Sequence, residues 1–222
     1  MPEKIKAIVF DVGGVLQLPK YPVSLIQDTH LAGVPKNIGH RNKGVHEFLA
    51  DKLKIALDHW FDGIDSIYVK SIEGKTTKKQ VLKVLSKNFN ISEKRIEKWL
   101  IKAYKSFFNL NNELIKYIKK LKKKGYKVAI LSDQWHFSKE ALYTRRIIKL
   151  FRPIVTSCDV GMRKPNPKIY KLMLKKLKLP AKQILFIDNQ EWNTRPAKKL
   201  GMKTLLFKDN EDIIPKLDRI LK

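Results

Sequence analysis

Short apolar runs alternate with segments of helical period along most of this chain, and that alternation restricts the fold more than any other feature. Lys4 to Phe10, Tyr126 to Leu131 and Gln183 to Ile187 are rich in β-branched and large apolar residues and stop at Asp11, Ser132 and Asp188. Lys203 to Phe207 is a fourth such run, and Pro153 to Ser157 a weaker fifth. Three of them are almost continuously apolar, which suits strands buried on both faces of a parallel sheet. Between them, Asn111 to Lys124 places Leu114, Ile115, Ile118 and Leu121 on one helical face, with Gly125 as the stop. Asn166 to Leu177, Asn193 to Leu200 and Asn210 to Leu221 show the same pattern. Strand and helix in turn predict an α/β fold with a doubly wound parallel sheet.

About a hundred residues between the first strand and Asn111 break this rhythm. Val45 to Phe61, Thr77 to Phe89 and Ser92 to Phe108 each read as one amphipathic helix, with Ser92 as an N-cap. Residues 18 to 44 carry Pro19, Pro22, Gly33, Pro35 and Gly39 and no strand signal of weight. The expected organisation is a core of residues 1–17 and 109–222 with residues 18–108 inserted as a helical cap.

Composition narrows the class. The 222 residues are 43% hydrophobic, which is enough to pack a core of this size without cross-links. The single cysteine, Cys158, excludes an internal disulfide framework and a cysteine-based zinc site, and the five histidines have no metal-ligand spacing. No apolar run approaches the roughly 20 residues that span a bilayer, so no membrane partner is expected, and the N-terminal segment reads as mature, cytoplasmic sequence. The net charge is +26. Such a charge attracts polyanions, but only eight of the 47 basic residues are arginine, and they are spread over the whole chain. Base and phosphate readout favours arginine. No RNA- or DNA-binding signature accompanies the charge, so compositional bias is the preferred reading and nucleic acid the weaker one.

Ligands of open α/β sheets bind beyond the carboxyl ends of the strands, where Asp11, Ser132 and Asp188 fall. Gly13 and Gly14 allow a sharp turn and a close approach after Asp11. Two carboxylates brought to one sheet edge call for a compensating divalent cation, and a set of carboxylate, carbonyl and water ligands suits Mg²⁺. Lys164, in the loop GMRKPNP, is held between a glycine and two prolines.

FDVGGVL, ILSDQ, GMRKPNPKIY and ILFIDNQEWN, in this order, resemble the four motifs of the haloacid dehalogenase-like (HAD) hydrolase superfamily. The helical insertion is similar to that family's C1 cap, and the flavour is that of its glucose-1-phosphate phosphatase-like members. The resemblance implies a Mg²⁺-dependent phosphatase of a small phosphorylated metabolite, a sugar phosphate among the options. Asp11 would be the nucleophile, forming an aspartyl-phosphate, and Lys164 would be catalytic beside it. Ser132, Asp133 and Lys164 would hold the phosphate. Asp11, the carbonyl of Gly13 and Asp188 would hold Mg²⁺, supported by Asn189 and Asn193. Three features depart from the usual pattern. Gly13 stands where a second aspartate commonly acts as general acid. Asp133 is an acid beside the phosphate position unless it caps the following turn, which is the expectation. Asn189 replaces an acid. His136 follows the second motif and could reach the site, but a surface or loop histidine is the preferred reading. A 2-haloacid dehalogenase is the alternative enzyme, with Arg41 a poor stand-in for its substrate-binding arginine.

Overall fold

A computed structural model describes residues 3–20 and 44–221. Five parallel strands form the sheet in the order β5-β4-β1-β6-β7, with β1 (Ala7–Phe10) at its centre. β4 (Lys127–Ser132) and β6 (Ile184–Asp188) flank β1, and β5 (Ile154–Thr156) and β7 (Lys203–Leu206) form the edges. Successive side chains of β1 serve opposite faces. Ile8 and Phe10 enter one core, which includes Leu114 and Ile118 of α5 (Asn112–Lys123) and Ile213 of α11 (Asn210–Ile220). Ala7 and Val9 enter the other, with Ile169, Tyr170 and Met173 of α9 (Pro167–Leu177). All four β1 side chains have no exposed surface, so the run needs no polar alternation. α10 (Glu191–Lys199) links β6 to β7 and begins two residues before the expected Asn193.

Two core helices start at side-chain caps that the sequence offers. The Asn111 side chain accepts the Leu114 N–H to open α5, and Asn166 accepts the Lys168 N–H to open α9. Gly125, with φ of +90°, adopts the left-handed turn that ends the α5 segment.

Four helices fill the described chain between β2 (Gln17–Pro19) and β3 (Phe108–Leu110): α1 (Val45–Leu53), α2 (Leu57–Ile72), α3 (Lys78–Phe89) and α4 (Glu93–Phe107). They correct two expectations, one helix over 45–61 and no strand near residue 18, and bear out Ser92 at the cap position of α4. The segment from Val45 to Phe61 is two helices, because Lys54 turns left-handed at φ 55° and closes α1. Ser92 occupies the cap position of α4 without a side-chain capping bond, whereas Thr77 makes one with the Gln80 N–H. A strand does form near residue 18: β2 pairs antiparallel with β3, Gln17 opposite Leu110 and Pro19 opposite Phe108. The irregular stretch carrying His30, His40 and Arg41 lies outside the described residues.

The cap rests on two short segments of the core, α6 (His136–Leu142) against α4 and α8 (Ser157–Val160) against α2, while α7 (Arg145–Leu150) lies between them in the chain. Trp135 donates its indole N–H to the Tyr104 hydroxyl of α4 at 2.9 Å and meets Tyr68 of α2 edge to face. Trp60 and Trp135 are fully buried, which places them in the packing. Among the described residues, no helix is long and apolar enough to cross a membrane.

Candidate active site

Parallel register creates the site. Phe10 pairs with Ile130 of β4 and with Ile187 of β6, so Asp11 emerges between the ends of both neighbours. The Asp11 N–H donates to the Ile187 carbonyl at 2.9 Å. Ser132 and Asp188 end their strands on either side, and neither has exposed surface.

Lys164 enters this cleft from the loop after α8. Its Nζ lies 2.5 Å from Asp188 Oδ2 and 3.1 Å from Asp11 Oδ1, with 3% of the residue exposed. Burial works against the ammonium charge, but Asp11, Asp188 and Asp133 outweigh it and hold the Lys164 pKa above its ordinary value. Burial pushes the Asp11 carboxyl up to about 6; Lys164 opposes the shift, Asp188 adds to it, and hydrogen bonds from Ser132 and the Val12 backbone oppose it. Asp188 is held on every side. It accepts from the Gln190 N–H at 2.8 Å and from Asn193 Nδ2 at 3.2 Å, besides the lysine. Asn193 is in turn fixed through its carbonyl by the Tyr170 hydroxyl at 2.7 Å.

Residues 12–17 make a tight turn. Gln17 donates its N–H to the Val12 carbonyl, and Gly14 donates to the Gln17 carbonyl. Gly14 has φ of +78°, and a Cβ there would collide with the Asn189 amide. Asn189 therefore packs on the backbone of this turn. Gly13 differs: a Cβ there would meet nothing within 4 Å.

Asp133 corrects the expectation of a cap. Its Oδ1 accepts the backbone N–H of Lys164 at 3.1 Å, across 31 residues. The His136 ring contacts the cap, with Nε2 2.8 Å from the Thr76 carbonyl. Several neighbours carry no signal in the sequence. Gln134 Nε2 donates to Ser132 Oγ at 2.9 Å. The Tyr143 hydroxyl lies 3.0 Å from Thr156 Oγ1 and feels the Asp11 charge, and its pKa is raised, by burial first. Cap and core meet beside Lys164 around a cavity of about 240 Å³ lined by Glu73, Lys75, Met162, Arg163, Lys164 and Asn166 among others. Glu73 pairs there with Lys75 at 2.6 Å and with Arg163 at 3.7 Å.

The donor set fits a small hard cation. Asp11 Oδ1 is buried and receives no hydrogen bond, although Lys164 is near it. The Gly13 carbonyl takes part in no hydrogen bond among the described residues. Asp11 and Asp188 both touch one ammonium, so their oxygens are separated by no more than its two contact distances together. Two oxygens on one Mg²⁺ lie at most about 4.2 Å apart at bond lengths of roughly 2.1 Å, so the pair stands within a small side-chain movement of sharing an ion.

A parallel α/β core, a helical cap and an aspartate–lysine–aspartate cluster at the strand ends define an enzyme of the capped hydrolase class. The family Haloacid dehalogenase-like hydrolase matches residues 48–207, and the chain belongs to it. It is 27% identical over 226 residues to bifunctional epoxide hydrolase 2 of Sus scrofa, covering 97% of this chain but only 39% of that protein. Over 109 residues it is 32% identical to glyceraldehyde 3-phosphate phosphatase of Methanocaldococcus jannaschii, covering 44% of this chain and 46% of that protein. Among solved structures, a HAD family enzyme of Bacteroides thetaiotaomicron in complex with magnesium and inorganic phosphate superposes with a TM-score of 0.71 at 22% identity, covering 94% of this chain and 97% of that one. A dehalogenase structure gives 0.57 at 18% identity, covering 97% and 92%. These superpositions speak to the fold.

Proposed function

We propose that the protein is a Mg²⁺-dependent phosphatase that cleaves a small phosphorylated metabolite through an aspartyl-phosphate. The observation that carries this reading is the Lys164 ammonium 3.1 Å from Asp11 Oδ1, with the buried Ser132 at the end of the neighbouring strand β4. A nucleophilic carboxylate flanked by a fixed cation and a hydroxyl donor suits phosphoryl transfer, where positioning and charge do most of the work. The phosphatase named among the relatives and the magnesium–phosphate complex among the structural neighbours support it.

In this reading an Asp11 oxygen attacks phosphorus in line, the bond to the leaving oxygen breaks, and water later hydrolyses the acyl phosphate. Ser132 and Lys164 hold the phosphoryl oxygens. Asp11, the Gly13 carbonyl and Asp188 would hold Mg²⁺, with Asn193 fixing Asp188 and Asn189 fixing the turn. When bound there, the ion would supply positive charge against which the phosphate dianion could approach two carboxylates. The cavity between Glu73 and Arg163 would receive a small polar leaving group, a sugar phosphate among the candidates.

The test is phosphate release from a panel of sugar phosphates, nucleotides, aryl phosphates and acyl phosphates, in Mg²⁺ and in chelator. Release that depends on Mg²⁺ and vanishes in Asp11→Asn supports the reading. Halide release from a 2-haloacid without metal would replace it with dehalogenation.

A further inference from the structure

The two residues after Ser132 each make one contact with a group proposed to bind phosphate. Gln134 is buried and gives its amide N–H to Ser132 Oγ at 2.9 Å. A hydroxyl oxygen that accepts this bond keeps its own proton for another partner, which in the phosphatase reading is a phosphoryl oxygen. Gln134 is itself immobilised, because its N–H donates to Ser157 Oγ at 3.0 Å while the Ser157 hydroxyl donates back to the Gln134 carbonyl.

Asp133 does the equivalent for the lysine. Lys164 precedes Pro165 and stands close to Pro167, and neither proline has an N–H with which to brace the loop. The loop's internal bond is Asn166 N–H to the Arg163 carbonyl. The Asp133 carboxylate takes the Lys164 N–H and so fixes the root of a side chain whose tip reaches Asp188 and Asp11.

From this geometry we infer that Asp133 and Gln134 are positioning residues: Gln134 aims the Ser132 hydroxyl and Asp133 sets the reach of Lys164. Each acts through another side chain of the site. The inference rests on the phosphatase reading for its consequence in turnover, though the alignment it describes does not depend on turnover.

The test pairs conservative and disruptive variants, with kcat/KM measured on an aryl phosphate in Mg²⁺. Gln134→Leu and Gln134→Glu both remove the donor and are each expected to lose about tenfold, the scale of one misdirected hydrogen bond. In the Ser132→Ala background the same changes are expected to cost nothing further, since Gln134 acts only through that hydroxyl. Losses that add to that of Ser132→Ala would overturn the Gln134 assignment. Asp133→Asn keeps an acceptor oxygen and is expected to stay within about twofold of wild type, whereas Asp133→Ala loses about tenfold. Equal damage from both would show that charge, and not the Lys164 N–H contact, is what matters, and would overturn the Asp133 assignment. A crystal structure of Asp133→Ala reads the alignment without turnover. Lys164 Nζ is expected to leave ion-pair distance of Asp188; an unmoved Nζ would overturn the claim. A wild-type protein that hydrolyses no phosphate ester would count against the phosphatase reading alone, and the crystal structure would still decide the positioning of Lys164.

Discussion

The Asn189 side chain occupies the space that a methyl group on Gly14 would need. The loop after β6 and the turn after β1 are therefore in steric register, and Gly14 also holds φ of +78°, which side-chain-bearing residues rarely adopt. Gly14→Ala is expected to lose about 1–3 kcal/mol of stability in urea unfolding, with a fall in turnover. Adding Asn189→Ala should recover the steric part and leave the backbone part. Full recovery in the double variant would mean that φ contributes nothing.

Asp11 should govern both turnover and the pH dependence of metal-free stability. Its folded pKa is raised to about 6, by burial first, above the unfolded value near 3.9. A raised carboxyl binds its proton more tightly in the folded state, so the stabilisation is complete below about pH 4 and is lost as pH rises through 6. Asp11→Asn has no proton to lose. In chelator, its stability relative to wild type should rise between about pH 4 and 7 by at most about 3 kcal/mol, while phosphate release disappears. A difference that stays flat over this range would contradict the raised pKa.

The open space at Gly13 makes a gain-of-function test possible. With no acid at this position, the leaving oxygen departs with little protonation from here. Anomeric, aryl and acyl phosphates are then expected to outrun primary alkyl phosphates such as 6-phosphosugars. Gly13→Asp meets no atom within 4 Å of its Cβ and should narrow that gap, by up to the roughly 10²- to 10⁴-fold that a general acid supplies. The measurement is kcat/KM over a leaving-group series for both proteins. A flat wild-type series would place a proton donor elsewhere.

Glu73 and Arg163 meet across the cap–core cavity. If they read the leaving group, Glu73→Ala or Arg163→Ala should lower the ratio of kcat/KM for a sugar phosphate over an aryl phosphate by about tenfold, the worth of a polar contact. An unchanged ratio would remove the cavity from recognition.

What could be read from the sequence divides along physical lines. β1, β4 and β6 were legible because full burial makes a strand uniformly apolar, and the placement of Asp11, Ser132 and Asp188 at one edge follows from their strand ends. β2 and β3 were not, because each is three residues whose strand character comes from the other across the ribbon. The break between α1 and α2 hides in a continuous apolar period, since it depends on one backbone angle at Lys54. The partners of Asp133 and His136 lie 31 and 60 residues away, where no local pattern reaches. The +26 charge has no counterpart in the proposed chemistry, which uses Lys164 from among all the lysines.

The β2–β3 ribbon brings the outgoing and returning chain side by side: Lys20 N–H bonds the Phe107 carbonyl, and Asn111 N–H bonds the Leu16 carbonyl. In effect the whole helical insertion is the loop of a hairpin. Loops of very different length close onto the same ribbon at little extra entropic cost, so this junction is a natural splice point. Helical modules exchanged between its two strands would alter what enters the cleft while leaving the register of β1, β4 and β6 intact, which lets recognition diversify without rebuilding the catalytic edge.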